Sequence, residues 1–451
     1  MAAAAEGEQE EQELLLPPGK DPPEPPSSHW RDAAGFWLLG LANNLPYVLM
    51  LSAARDILEP HQGALVPPAP RNGSRFDCNP MSTGAVLLAD IVPTLLLKLA
   101  APFGLHLLPY WPRVLVSAFC AWGSFSLVVW AKGVAVSLGG VALASVASGL
   151  GELTLLALAA SYPSCGLTYW SSGTGAAGLV GALAYEALRG AGLSLRHALL
   201  VGLVLPHVTL LRSVIGGATL APEPLPSLPI GCGAGPTPSL LANPCSFFFL
   251  LTPPPSLASP TPGHTPQDEA PPTEGTAQGV QPMRGGEKWR VGKLALAHAA
   301  PLLLVYFAEY LINQGLLELL YFPKSSLTHG DQYRSYQLLY QAGVFLARSS
   351  PRCLRLRRIW LLALLQVLNA VLLLAAVLVP FLPGLAAAFV LIGWEGLVGG
   401  GAYVNTFLNV AEEVEPQGLG LAMTVAALAD TVGIALAGGV AMGVHQWLCP
   451  P

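Results

Sequence analysis

Long apolar runs separated by short polar breaks fill most of this chain, and their length sets its class. Eleven such runs lie near 33–54, 82–103, 113–131, 134–160, 170–189, 195–213, 293–322, 334–348, 358–380, 384–410 and 419–445. Several exceed the ~18–20 apolar residues that carry a helix across a bilayer. The eighth has the weakest pattern, with Gln337, Gln341 and Arg348 in or beside it. The predicted fold is an all-α polytopic membrane protein of about 11 transmembrane helices.

The pattern breaks twice. Residues 1–32 are acidic and proline-rich, and no basic segment precedes an apolar one, so they read as a disordered cytosolic tail rather than a cleaved signal peptide. The first span then acts as an uncleaved signal anchor. Between Pro222 and Pro272 stand 15 prolines amid Gly, Ser and Thr, a composition that builds neither helix nor packed core. The chain therefore divides into six spans over 33–213, a Pro-rich cytosolic loop over 214–292, and five spans over 293–449. Transporters made of two pseudo-symmetric six-helix halves have this layout, here short of a last helix.

Composition supports the membrane class. Hydrophobic residues make up 53% and charged residues 11%, against roughly 25% charged in a soluble domain. A net charge of −5, scattered along the chain, presents no nucleic-acid face. With the N-terminus cytosolic, 13 of the 22 Lys and Arg fall on the cytosolic side, dominated by the run from Arg348 to Arg358. Loop 55–81 is then luminal, where Asn72-Gly73-Ser74 forms a glycosylation sequon. Eleven spans would also leave Cys449-Pro450-Pro451 in the lumen. The seven cysteines offer no CxxC metal spacing and no disulfide framework.

Against this background five carboxylates stand out within the spans: Asp90, Glu152, Glu309, Glu395 and Asp430. A charge in hydrocarbon costs several kcal/mol, so intramembrane acids line wet paths, pair with partners or carry protons. Tyr306, Glu309 and Asn313 recur at i, i+3 and i+7 and form one polar stripe, which Gln314 and Glu318 extend. The plain alternative is a buried network that holds the bundle together. Ser145, Ser148 and Glu152 repeat that spacing in the fourth span, beside Gly149 and Gly151. In the tenth, Glu395 precedes Gly399-Gly400-Gly401, Tyr403, Asn405 and Asn409. Spans five and eleven, the latter with Asp430, are a second small-residue pair. Glycines there admit either close packing or a helix break. Lys98 is the one cation well inside a span. It lies ~12 Å along the axis from Asp90, too far for an ion pair, and it either snorkels to the interface or meets an anionic substrate. The candidate substrate and proton pathway is therefore Asp90, Lys98, Glu152, Tyr306, Glu309, Asn313, Glu395, Asn405 and Asp430.

Near the N-terminus, Glu10-Glu11-Gln12-Glu13-Leu14-Leu15 fits an acidic dileucine signal that sorting adaptors read in flexible cytosolic tails. No Walker loop, HExxH or GxSxG is present, so neither an enzyme nor a cofactor or metal site is expected.

Several blocks carry a family resemblance. They include Gly35-Phe-Trp-Leu-Leu-Gly-Leu41, Leu87-Leu-Ala-Asp-Ile91, Trp170-Ser-Ser-Gly-Thr-Gly175, Val305-Tyr-Phe-Ala-Glu-Tyr310 and Tyr403-Val-Asn-Thr-Phe407. On these the chain resembles the battenin family of lysosomal membrane proteins, whose loss underlies juvenile neuronal ceroid lipofuscinosis. The resemblance implies a major-facilitator-like fold in lysosomal and late-endosomal membranes. It also implies roles in lysosomal pH, autophagy, trafficking and clearance of glycerophosphodiesters. The chain departs from the family in Val214 to Ser246, which looks like an insert splitting the sixth helix. It also lacks the family's loop dileucine, and neither Ala2 nor Cys449-Pro-Pro supports a lipid anchor. The expected function is transport of a small polar solute, a glycerophosphodiester above all, with a trafficking scaffold acting through cytosolic partners as the alternative.

Overall fold

The structure, a computed structural model, describes residues 27–54, 56–58, 82–104, 108–161, 166–202, 285–351 and 353–449. Glu10, Glu11, Leu14, Leu15, Asn72 and the insert 214–246 lie outside the described residues. Those described form helices and no strand. The first half holds α1 (Ser27–Ser52), α2 (Thr83–Gly104), α3 (Tyr110–Trp130), α4 (Val134–Ser161), α5 (Gly166–Gly190) and α6 (Leu195–Gly202). The second holds α7 (Gly285–Leu311), α8 (His329–Ser349), α9 (Ile359–Leu378), α10 (Leu385–Glu413) and α11 (Pro416–Leu448). A π-helical turn, Ile312–Leu316, ends α7, so the seventh span stops being α-helical before Glu318. Cys353 and Cys449 are each disulfide-bonded, where the sequence suggested no disulfide framework.

Eight of the described helices are long and apolar enough to cross a membrane. Their polarity is arranged inside out. Leu96, Phe119, Leu364 and Val390 face outward, while Lys98, Glu309, Glu395 and Asp430 are buried. A soluble protein would reverse that arrangement, so this is a multi-pass membrane protein. Helix α8 shows why its apolar pattern is weak: Gln332, Gln337 and Arg348 are buried, Gln332 bonding the segment before α8 and the other two reaching other helices. A capping box starts it, with Thr328 Oγ1 accepting from the Asp331 amide and Asp331 Oδ2 accepting from the Thr328 amide, both at 3.2 Å.

Helix pairing repeats between the halves. The closest pair in the first is α1 with α5 and in the second α7 with α11; α2 packs on α4 as α8 packs on α10. Across the interface α2 meets α11 and α8 meets α5. Adding six to each number maps one half onto the other and exchanges the two interface pairs, which makes this the two-half bundle of major-facilitator type. Glycine sets the close approaches. A Cβ on Gly173 of α5 would strike the α1 backbone at Trp37, and one on Gly433 of α11 would strike the α7 backbone at Leu303. In α10, Gly396 and Gly400 lie against the α8 backbone at Tyr340 and Val344. Of the two uses foreseen for these glycines, close packing is the one adopted, and α10 runs unbroken.

Helices α2 and α11 are antiparallel. Gly84, at the start of α2, packs on Gly438 and Met442, whereas Lys98, nearer its end, reaches Ala427 and Thr431. The chain's C-terminal end therefore lies on the face where α1 ends and α2 begins, opposite the start of α1.

Candidate functional site

A narrow cavity of about 70 Å³ lies between the halves. Helices α1, α2 and α4 wall one side, and α7, α8, α10 and α11 the other. It is well below the ~300–1,000 Å³ of ordinary ligand pockets.

Lys98 of α2 sits at one wall. Its Nζ donates to Ala427 O and Thr431 Oγ1, each at 2.7 Å, and pairs with Glu152 Oε2 at 2.8 Å and Asp430 Oδ1 at 3.4 Å. Lys98 is 2% exposed, so it does not snorkel to the interface. Two carboxylates and a helix carbonyl supply what water would otherwise give its ammonium. Glu152 comes from the same half and Asp430 from the other, so the triad spans the interface.

Arg348 holds the facing wall. Its Nη1 donates to Thr174 Oγ1 at 2.8 Å and its Nη2 to Tyr306 Oη at 3.1 Å. Its guanidinium carbon lies 4.0 Å from the Tyr403 ring centre, a cation–π contact. Beyond it Tyr306 stacks on Tyr310, and Tyr47 of α1 donates to Tyr310 Oη at 2.9 Å.

The candidates from sequence separate into three groups. Lys98, Glu152, Tyr306 and Asp430 line the cavity. Glu309, Asn313 and Glu395 form a second network inside the second half, so the stripe with Tyr306 splits between two sets of partners. Tyr340 donates to Glu309, whose carboxylate lies at Gly399 of α10. Asn313 Nδ2 donates to Glu395 Oε1 at 3.0 Å, and Gln366 Nε2 donates to the same oxygen at 3.1 Å. Asp90 is fully buried outside the cavity lining, and neither oxygen has a hydrogen-bond partner among the described residues.

Asn405 belongs to none of these. Its Oδ1 accepts from Arg355 Nη1 and the Leu356 amide, both at 2.9 Å, and so pins the segment after α8. It lies outside the cavity lining. Ser145 bonds Thr94, and Ser148, which also lines the cavity, bonds Asn43, each on a neighbouring helix.

Arg348, Tyr47 and Tyr310 were not singled out from sequence. The available signal for Arg348 was its place with Gln337 and Gln341 in an otherwise apolar span. Glu318, read as an extension of the stripe, closes one face of the interface instead. Its Oε2 accepts from Thr83 Oγ1 at 2.9 Å, the Thr83 amide at 3.1 Å and Ser82 Oγ at 3.1 Å, while His445 Nδ1 lies 3.3 Å from its other oxygen. On the same face Arg334 of α8 pairs with Glu186 of α5 at 2.9 Å.

Residues 34–216 and 261–450 match the CLN3 protein family. Battenin of Canis lupus familiaris is 47% identical over 458 residues, spanning 95% of this chain and 94% of its own. Protein BTN1 of Chaetomium globosum is 38% identical over 432 residues, spanning 92% and 87%. Among solved structures, an auto-inhibited POT family peptide transporter overlaps at TM-score 0.49 with 13% identity, over 92% of this chain and 89% of that one. The E. coli fucose:proton symporter overlaps at 0.45 with 12% identity, over 94% and 98%. Both scores lie below 0.5, so the two-half architecture rests on this chain's own helix pairing.

Proposed function

The chain belongs to the CLN3 protein family, and from that premise we propose that it resides in lysosomal and late-endosomal membranes and moves a glycerophosphodiester across them. The supporting observation is the cavity, which has Lys98 on one half and Arg348 on the other and is walled by helices of both. A membrane protein keeps buried charge between two packed halves when a solute must cross there. The tyrosines supply hydroxyls for a polar backbone such as glycerol. Clearance of that solute would link the protein to lysosomal pH homeostasis and autophagy.

Proton coupling is part of the proposal. Asp90, Glu309 and Glu395 are buried and have no cation within ion-pair distance among the described residues. Each is most easily held neutral, by carrying a proton. With the N-terminus cytosolic, the Glu318 face is luminal and meets the acidic compartment. Sorting adaptors would read Leu14 and Leu15 in the cytosolic tail.

The test is efflux of a radiolabelled glycerophosphodiester from purified lysosomes with and without the protein. Transport requires efflux to fall in its absence at unchanged luminal pH. Intrinsic efflux that persists alongside mislocalised partners would favour the scaffold.

A further inference from the structure

The cavity's two cations are not equivalent. Lys98 is saturated: two carboxylates, one hydroxyl and one backbone carbonyl surround a group with three N–H bonds. Arg348 makes no ion pair among the described residues, and the acid that acts on it, Glu309, does so from beyond ion-pair distance. The partners of Arg348 are the hydroxyls of Thr174 and Tyr306 and the Tyr403 face. Its Nε is buried without a hydrogen-bond partner. A buried guanidinium without a counter-ion is costly, and that cost is removed when an anion binds. Its planar fork also matches the paired oxygens of a phosphate group.

We infer that Arg348 is the anion receptor of the cavity and takes a singly charged phosphodiester, while Lys98 is an internal strut between the halves. The inference rests on the proposed transport function and adds its recognition element. Charge defines the class. With its acids ionised, the Lys98, Glu152 and Asp430 triad sums to −1, and Arg348 brings the cavity to zero. Of the other ionisable groups nearby, Tyr47, Tyr306, Tyr310 and Tyr403 are neutral phenols, Asp90 lies outside the lining, and Glu309 is turned toward Tyr340 and Gly399. A monoanion therefore neutralises Arg348 and leaves one negative charge on the triad. A dianion would add a second beside Glu152 and Asp430, which low dielectric penalises steeply. The Tyr306 hydroxyl accepts from Arg348 and the Tyr310 ring stacks on Tyr306, so ester-linked glycerol would extend along these two phenols.

The experiment is equilibrium binding to the full-length protein purified in detergent, using tritiated glycerophosphoglycerol as monoanion and glycerol 3-phosphate as dianion. Wild type should bind the diester at least tenfold more tightly than the monoester. Arg348→Gln should lose at least tenfold for the diester, and Arg348→Lys should fall between, because it restores charge without the fork. A role confined to the Thr174 and Tyr306 bonds would make Lys and Gln equally poor and would overturn the inference. So would undiminished diester binding by Arg348→Gln, which would leave the transport proposal standing. If Arg348→Gln does not fold, the Lys variant and the wild-type preference decide between the two outcomes. Absence of any diester binding by wild type would remove the transport proposal along with the inference.

Discussion

Lys98 of α2 and Asp430 of α11 meet across the interface between the halves, 3.4 Å apart, with Glu152 on the lysine's other side. The three charges lie 54 or more residues apart in sequence yet form one site, because the α2 and α11 pair and the α2 and α4 pair converge there. Several expectations follow from this relationship and from the networks around it.

Removing the cation alone should be severe. Lys98→Met leaves two carboxylates buried side by side, a change that costs about 3–5 kcal/mol when one member of a buried pair is lost. Asp430→Asn in the same molecule removes one of those acids and should recover part of the loss. Thermal unfolding of the single and double variants in detergent measures the coupling. Strictly additive midpoints would show that the two residues are energetically independent.

Glu309→Gln should leave folding and targeting intact, because the amide oxygen still accepts from Tyr340. It should abolish pH-dependent solute movement, since the side chain no longer binds and releases a proton. Glu309→Lys should be worse, placing a cation against α10 at Gly399. Efflux measured across a pH series checks this. Normal rate and normal pH dependence in a correctly located Gln variant would exclude Glu309 from coupling and raise the scaffold above the transporter.

The capping box of α8 should survive acidity. Hydrogen bonding from Thr328 holds the Asp331 carboxyl below the usual carboxylate range, against the opposing effect of partial burial. A depressed folded-state value means the contribution is present above the unfolded value, ~3.9, and fades only as pH falls through the lower folded value. Thr328→Ala should therefore cost about 1 kcal/mol equally at neutral pH and near pH 5. A loss seen at neutral pH alone would show that the box opens in acid.

Asn72 should carry a glycan. The charge bias places its loop in the lumen, on the face that the structure gives to the start of α2. Asn72→Gln should raise electrophoretic mobility to that of the glycosidase-treated protein. Unchanged mobility would remove the main support for the assigned orientation.

Sorting should depend on the N-terminal tail. Leu14→Ala with Leu15→Ala is expected to shift the protein toward the cell surface, read by surface biotinylation. Unaltered lysosomal residence would point to a different signal, such as one within 253–292.

The sequence by itself determined the class and located the acids within the spans, because a bilayer demands long apolar segments and makes every buried charge conspicuous. Asp90, Glu152, Glu309, Glu395 and Asp430 were visible for that reason alone. Which of them act together was decided only by tertiary structure. Periodicity describes one helix at a time, so it joined Tyr306 to Glu309 and Asn313, whereas α7 is packed against different neighbours on adjoining faces and divides them between two networks. Likewise Lys98 was read as snorkelling to the interface or meeting an anionic substrate because a helix pattern shows no partner on another helix, and the contacts of Asn405 with the segment after α8 are equally invisible in one helix's pattern. The side of the C-terminal end was another open matter for sequence, settled by the antiparallel packing of α2 on α11. Arg348 was obscured by the same physics that makes it notable: a polar helix face reads as a poor membrane span until the rest of the bundle closes over it.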